Sequence, residues 1–137
     1  TLLHGLKYDL VMLSGISFGG FNVVDISALS KKLRKPVMTI TGDRPHNQAV
    51  LKALREHFPD WRNRWRMIRS AGRIRTLRIR DHPPLYFEVR GASAGFARKG
   101  IISTAMVSRL PEPIRVARIL ARGLSGLRLH EVDQANL

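Results

Sequence analysis

Ten acidic side chains, five histidines and 24 lysines and arginines are the charged and titratable groups available for chemistry in this chain. Cutting a phosphodiester with two metal ions needs several carboxylates converging on cations ~3.5–4 Å apart. Asp25, Asp43, Glu88 and Glu112 are the acids placed where elements end or pair, so they are the candidates for such convergence. Asp25 and Glu112 serve equally as first-turn acids of helices, where a carboxylate complements the backbone dipole. Glu88 is the one acid inside an expected strand, so its burial matters most. His4, His46, His57, His82 and His130 are scattered, with no His-x-x-x-His pair, and no metal-ligand set emerges from them. The chain has no cysteine, which removes disulfides, zinc–thiolate sites and thiol nucleophiles. No Ser-His-Asp order can be argued from the spacing.

The basic residues are more informative. Net charge is +14 over 137 residues, and arginine outnumbers lysine 18 to 6. A guanidinium is a planar fork that matches phosphate bidentately, so nucleic acid is the partner the charge points to. Arg62, Arg64, Arg66, Arg69, Arg73, Arg75, Arg78 and Arg80 lie together with no acid among them. On a helix Arg62, Arg66, Arg69 and Arg73 form one stripe. A merely solvated face mixes signs to avoid repulsion between neighbouring turns. Trp61, Trp65 and Ile68 fall on another face and are expected in the core rather than as base-stacking platforms. Arg115, Arg118 and Arg122 form a second stripe, as ordinary for a solvated helix as for a phosphate-binding one, and in the second case a continuation of the same surface. The nucleic-acid-binding set is therefore Arg62, Arg66, Arg69, Arg73, Arg75, Arg78, Arg115, Arg118 and Arg122.

These groups need elements to position them. Residues 8–14 read as a buried strand, followed by a glycine-rich turn at Gly15–Asn22. Gly15 and Gly20 have the spacing of a phosphate-binding loop, but Phe21-Asn22 stands where that motif needs Lys and then Ser or Thr. A helix over about 24–33 with Asn22 as N-cap, then a strand at 37–41, makes a parallel βαβ unit. Helices are expected over 46–57 and 61–71, with Gly72 stopping the second. Residues 73–80 and 85–90 read as a strand hairpin. Residues 92–99 and 101–110 are ambiguous between helix and strand. A last helix starts at Pro111-Glu112-Pro113 and has Gly123 as its stop. This divides the chain into one domain over 1–123 and a loosely structured tail over 124–137. No apolar run reaches the ~18–20 residues of a membrane span, and the expected setting is cytoplasmic, with no membrane partner.

Four stretches resemble the archaeal endonuclease dU family, which is related to endonuclease V. They are Val11-Met12-Leu13-Ser14-Gly15-Ile16-Ser17-Phe18-Gly19-Gly20-Phe21-Asn22-Val23-Val24-Asp25, Lys35-Pro36-Val37, Ala53-Leu54-Arg55-Glu56-His57-Phe58-Pro59-Asp60 and Leu110-Pro111-Glu112-Pro113-Ile114-Arg115-Val116-Ala117. The resemblance runs from about Asp9 to Leu124. It implies a ribonuclease H-like, endonuclease V-like α/β fold, and phosphodiester cleavage near a modified base.

Departures from the pattern qualify the chemistry. The family looks to have Asp, a metal ligand, where this chain has Ser14. It looks to have Ala-His where this chain has Ala117-Arg118, and endonuclease V has Gly-His where this chain has Gly91-Ala92. A neutral hydroxyl does not replace a carboxylate as a ligand for Mg²⁺. The three antiparallel strands that open a ribonuclease H-like fold are expected to be absent from residues 1–137. The expectation is a nucleic-acid-binding relative, catalytically degenerate in this chain. One alternative is an active DNA-repair endonuclease using Mg²⁺ or Mn²⁺ with ligands upstream of Thr1. Another is a structural RNA-binding protein of a ribonucleoprotein such as the ribosome.

Overall fold

A computed structural model describes the backbone of residues 7–135 and the side chains of residues 7–125. Strand β1 (Val11–Leu13) leads into a small hairpin, β2 (Ser17–Phe18) and β3 (Asn22–Val23), before helix α1 (Ile26–Leu33). Strand β4 (Val37–Thr41) follows, then α2 (Asn47–His57) and α3 (Trp61–Ser70). Strands β5 (Arg75–Leu77) and β6 (Leu85–Arg90) precede α4 (Ala94–Thr104) and the long α5 (Glu112–Ala135). The main sheet has the order β1-β4-β6-β5. β1 and β4 are parallel, as a βαβ unit requires, while β6 runs antiparallel to both its neighbours. The mixed α/β class is as expected.

Alternation along the strands gives the sheet two faces. Met38, Ile40, Leu85 and Phe87 point to one side and pack with Ala97 and Ile101 of α4 and Ile114 of α5. Val37 points to the other side, with Ile26 of α1 and Ala71 at the end of α3. Thr39 and Thr41 share that second face, as do Tyr86 and Glu88 across the β4–β6 pair.

Several boundaries differ from expectation, each for a local reason. Asn22 does not cap α1. It sits in β3, its side-chain amide donating to the Gly19 carbonyl at 3.3 Å, and the hairpin delays the helix start. Asp25 caps instead, accepting from the Ala28 amide at 2.9 Å. Gly19 and Gly20 make the hairpin turn with φ of 53° and 90°, the left-handed region in which glycine carries no Cβ penalty. Of the two ambiguous stretches, residues 94–104 become α4 because Ser93 caps it, accepting from the Phe96 amide at 3.1 Å, and because Ala97 and Ile101 share its buried face, while 105–110 is neither helix nor strand. Strand β5 is only three residues long. Neither Trp61 nor Trp65 is buried. Ile68 is the buried residue of α3, and the guanidinium groups of Arg55 and Arg62 lie over the Trp61 ring, 4.8 and 4.6 Å from its centroid.

Helix α5 does not stop at Gly123 but continues to Ala135. A helix-ending glycine usually takes a left-handed backbone, and Gly123 is not among the positive-φ residues. It sits on an open helix face where no atom would meet a Cβ. There glycine costs about 1 kcal/mol against alanine without breaking the helix. The expected loose tail over 124–135 is therefore helical, and residues 136–137 lie outside those described.

Candidate nucleic-acid interface

Ser14 is the first residue past β1, at the open end of the strand, with α5 passing beside it. Arg118, two helical turns into α5, reaches it. Its Nε donates to Ser14 Oγ at 2.9 Å and its Nη2 at 2.6 Å. Ala117, Ala121, Leu13 and Phe18 wall the groove around them. Sequence reasoning singled out Ser14 and Arg118 separately. That they form one pair is a finding of the tertiary structure.

The pairing decides how well a metal fits. Ser14 Oγ has two lone pairs, and two N–H groups already occupy them. A cation placed there would face a guanidinium instead of a carboxylate. Among the described residues no three His, Asp or Glu side chains gather closely enough to hold a metal ion. The candidate acids are dispersed. Asp25 uses Oδ1 for its cap, with the Ser70 hydroxyl, shared with the Met67 carbonyl, 3.1 Å from the same oxygen. Asp43 lies in the turn after β4, its carbonyl accepting from Thr41 Oγ1 at 2.7 Å. Glu112 pairs with Arg115 at 2.8 Å, and that neighbour holds its carboxyl below the usual glutamate range. These residues do not fit a divalent cation.

Glu88 is buried, 8% exposed, on the opposite sheet face. The Thr39 hydroxyl donates to its Oε2 at 2.8 Å. Desolvation raises its pKa above the ordinary glutamate value, and the Thr39 hydrogen bond offsets only part of this. A small cavity of about 80 Å³ lies beside it, walled mainly by Ile16, Phe21, Val50, Ile68 and Ile74. Thr39 was not anticipated as a partner. The signal was available, since Thr39 and Thr41 alternate with apolar residues along β4.

The arginines divide by role. Arg62, Arg66 and Arg69 are exposed on α3, with Arg66 donating to Asn63 Oδ1 at 2.6 Å and Arg62 stacked on Trp61. Arg64 is structural: it pairs with Asp60 at 2.9 Å, donates to the Phe21 carbonyl at 2.6 Å and lies over the Phe58 ring. Arg73 does not continue the helical stripe, because α3 ends at Ser70 and Gly72 turns the chain with a φ of 97°. Arg75 is half-buried on β5, and Arg78 is exposed just beyond it. On α5, Arg115 is taken up by Glu112, Arg118 meets Ser14, and Arg122 is exposed. The two stripes are not one surface. α3 packs on the face carrying Glu88 and α5 on the other. Gly91 closes β6 where a Cβ would collide with Ser30 Oγ, so the tight join to α1 requires glycine there.

Fold and site together define a basic α/β domain whose strand end carries a guanidinium–hydroxyl pair in place of clustered carboxylates. The chain belongs to the endonuclease dU family, whose model, described as Endonuclease dU, matches residues 1–125. It is 39% identical over 122 residues to a UPF0215 protein of Methanothermobacter thermautotrophicus, covering 89% of this chain and 59% of the relative. It is 38% identical over 123 residues to the UPF0215 protein of Methanosarcina mazei, covering 89% and 62%. The chain thus spans about three-fifths of the length of these relatives. A crystal structure of a protein of unknown function from Archaeoglobus fulgidus matches with a TM-score of 0.76 at 27% identity, over 85% of this chain and 64% of that one. No helix among the described residues is long and apolar enough to cross a membrane.

Proposed function

We propose that this chain binds the phosphate backbone of nucleic acid as a catalytically degenerate member of the endonuclease dU family. Arg118 carries the reading: it saturates the Ser14 oxygen where a carboxylate ligand would be needed for metal-dependent cleavage. Family membership and a charge of +14 support nucleic acid as the ligand. The exposed guanidinium groups of Arg62, Arg66 and Arg69 supply a largely sequence-independent contact, since phosphates carry no sequence information. We further propose that the sheet is ribonuclease H-like and that residues 1–123 form its domain. The parallel β1–β4 pair supports this, as does the side of β1 away from β4, where further strands could pair.

Deoxyuridine-containing duplex incubated with the chain and Mg²⁺ or Mn²⁺ tests the reading. The expected outcome is no cleavage, with binding that weakens steeply with salt, at roughly −0.9 in log–log slope per neutralised duplex phosphate. Metal-dependent cleavage by this chain would overturn it. Replacing Arg62, Arg66 and Arg69 with Glu is expected to weaken binding to all sequences alike.

A further inference from the structure

The Ser14–Arg118 pair has an unusual donor balance. A guanidinium carries five N–H donors and no acceptor. Two of them are engaged by Ser14 Oγ, leaving three for a ligand. The same two contacts fill both lone pairs of the serine oxygen, so the hydroxyl is left to act as a donor. The pair therefore presents only donors to the groove. No acid forms a salt bridge with Arg118 among the described residues, whereas Arg115, one turn earlier, is closed by Glu112. A ligand that satisfies four donors and one positive charge is an acceptor-rich anion.

The surroundings narrow the class. The groove has a volume of about 380 Å³, too large for one small anion alone. Its remaining wall is apolar, with Phe18 42% exposed at the rim, on the hairpin that follows Ser14. A charged tetrahedral group joined to a flat apolar one fills such a groove: phosphate on the donors, base against the Phe18 ring. Base–aromatic stacking adds ~1–3 kcal/mol per base and tolerates any sequence.

We propose that Ser14 and Arg118 form a metal-independent seat for a nucleic-acid phosphodiester, with the adjoining base resting on Phe18. The guanidinium supplies the positive charge at the strand end that a metal ion would otherwise bring. The hydroxyl holds the Nε/Nη2 edge and fixes the guanidinium plane, so the remaining Nη1/Nη2 edge is aimed before the ligand arrives. This deepens the nucleic-acid-binding reading and rests on it.

A fluorescein-labelled single-stranded oligodeoxynucleotide, titrated with the chain in EDTA, is the test. Binding is expected in EDTA and to be unchanged by Mn²⁺ at matched ionic strength. Arg118→Ala should weaken it roughly tenfold or more, the scale of a lost charge-assisted hydrogen bond, and flatten the salt slope by about 0.7. Arg118→Lys, which keeps charge but loses the fork, should restore binding only in part. Ser14→Asp is the sharpest variant. It gives Arg118 an acid partner, so binding should fall as far as in Arg118→Ala while the melting temperature holds or rises. A merely structural role for the pair predicts that Ser14→Asp leaves binding unchanged.

Wild-type affinity in both Arg118→Ala and Ser14→Asp would overturn the proposal, as would binding that requires Mn²⁺. If binding is lost on replacing Arg62, Arg66 and Arg69 with Glu but is untouched by the Arg118 variants, this seat fails and the broader reading stands. If the wild-type chain binds no oligonucleotide at low salt, both fail.

Discussion

Glu88 and Ser14 lie on opposite faces of one sheet, and each meets the reverse of what a nuclease-like scaffold suggests. Glu88 is an acid that makes no ion pair among the described residues, sunk beneath the helices of one face and met by a threonine hydroxyl. Ser14 is a neutral hydroxyl with a cation pressed against it, at the exposed strand end of the other face. Burial separates them. On the Glu88 side desolvation favours the uncharged acid, and the group shapes stability. On the Ser14 side water screens the guanidinium, so the pair contributes little to folding and stays available to a ligand. Charge alone does not locate function here. What matters is whether each charge has been neutralised by its own neighbourhood.

Four substitutions probe this contrast, in order of expected effect. Glu88→Lys puts an unpaired cation into the buried face. It should cost roughly 3–5 kcal/mol, the scale of an uncompensated buried charge, seen as a large fall in the urea midpoint. Thr39→Val removes the hydroxyl that satisfies the carboxyl and should cost about 1–3 kcal/mol, read by the same titration. Stability unchanged in Thr39→Val would mean that Glu88 is solvated after all.

Glu88→Gln tests the pH dependence. A raised pKa in the fold means that the folded state holds its proton more tightly than the unfolded chain does. The stability this brings is complete below the ordinary glutamate pKa and is lost as pH rises through the raised one. Glu88→Gln should therefore melt higher than wild type near neutral pH, with the difference disappearing in acid. Smallest of all is Ser14→Ala, expected to change stability by no more than about 0.5 kcal/mol, as at an ordinary surface site, while reducing oligonucleotide affinity. A large stability loss there would erase the contrast.

Much of the fold was legible from local patterns. The apolar run at β1, the glycine turn, the β-branched run at β4 and Pro36 before it mark a parallel βαβ unit without reference to distant residues. The β5–β6 hairpin and helices α2 and α3 follow from alternation and helical spacing in the same way. The misreadings were also local. Asn22 looked like a cap because a two-stranded hairpin of two-residue strands has almost no periodicity to reveal it. Gly123 looked like a stop because composition does not report backbone handedness.

By itself the sequence determined the charge, its concentration in arginine, the α/β class and the absence of an acid at Ser14, since each depends only on residue types and short-range spacing. The tertiary structure decided what those charges do. Ser14 and Arg118 are 104 positions apart, and Thr39 and Glu88 are 49 apart. No local pattern encodes such pairings, because strand register and helix docking set them. The same packing placed the two arginine-bearing helices on opposite faces and left Arg118 facing the groove, whereas Arg115 is closed by Glu112 within its own helix. A side chain's type sets the chemistry it can do, and its neighbours in the fold settle which part of that chemistry remains free.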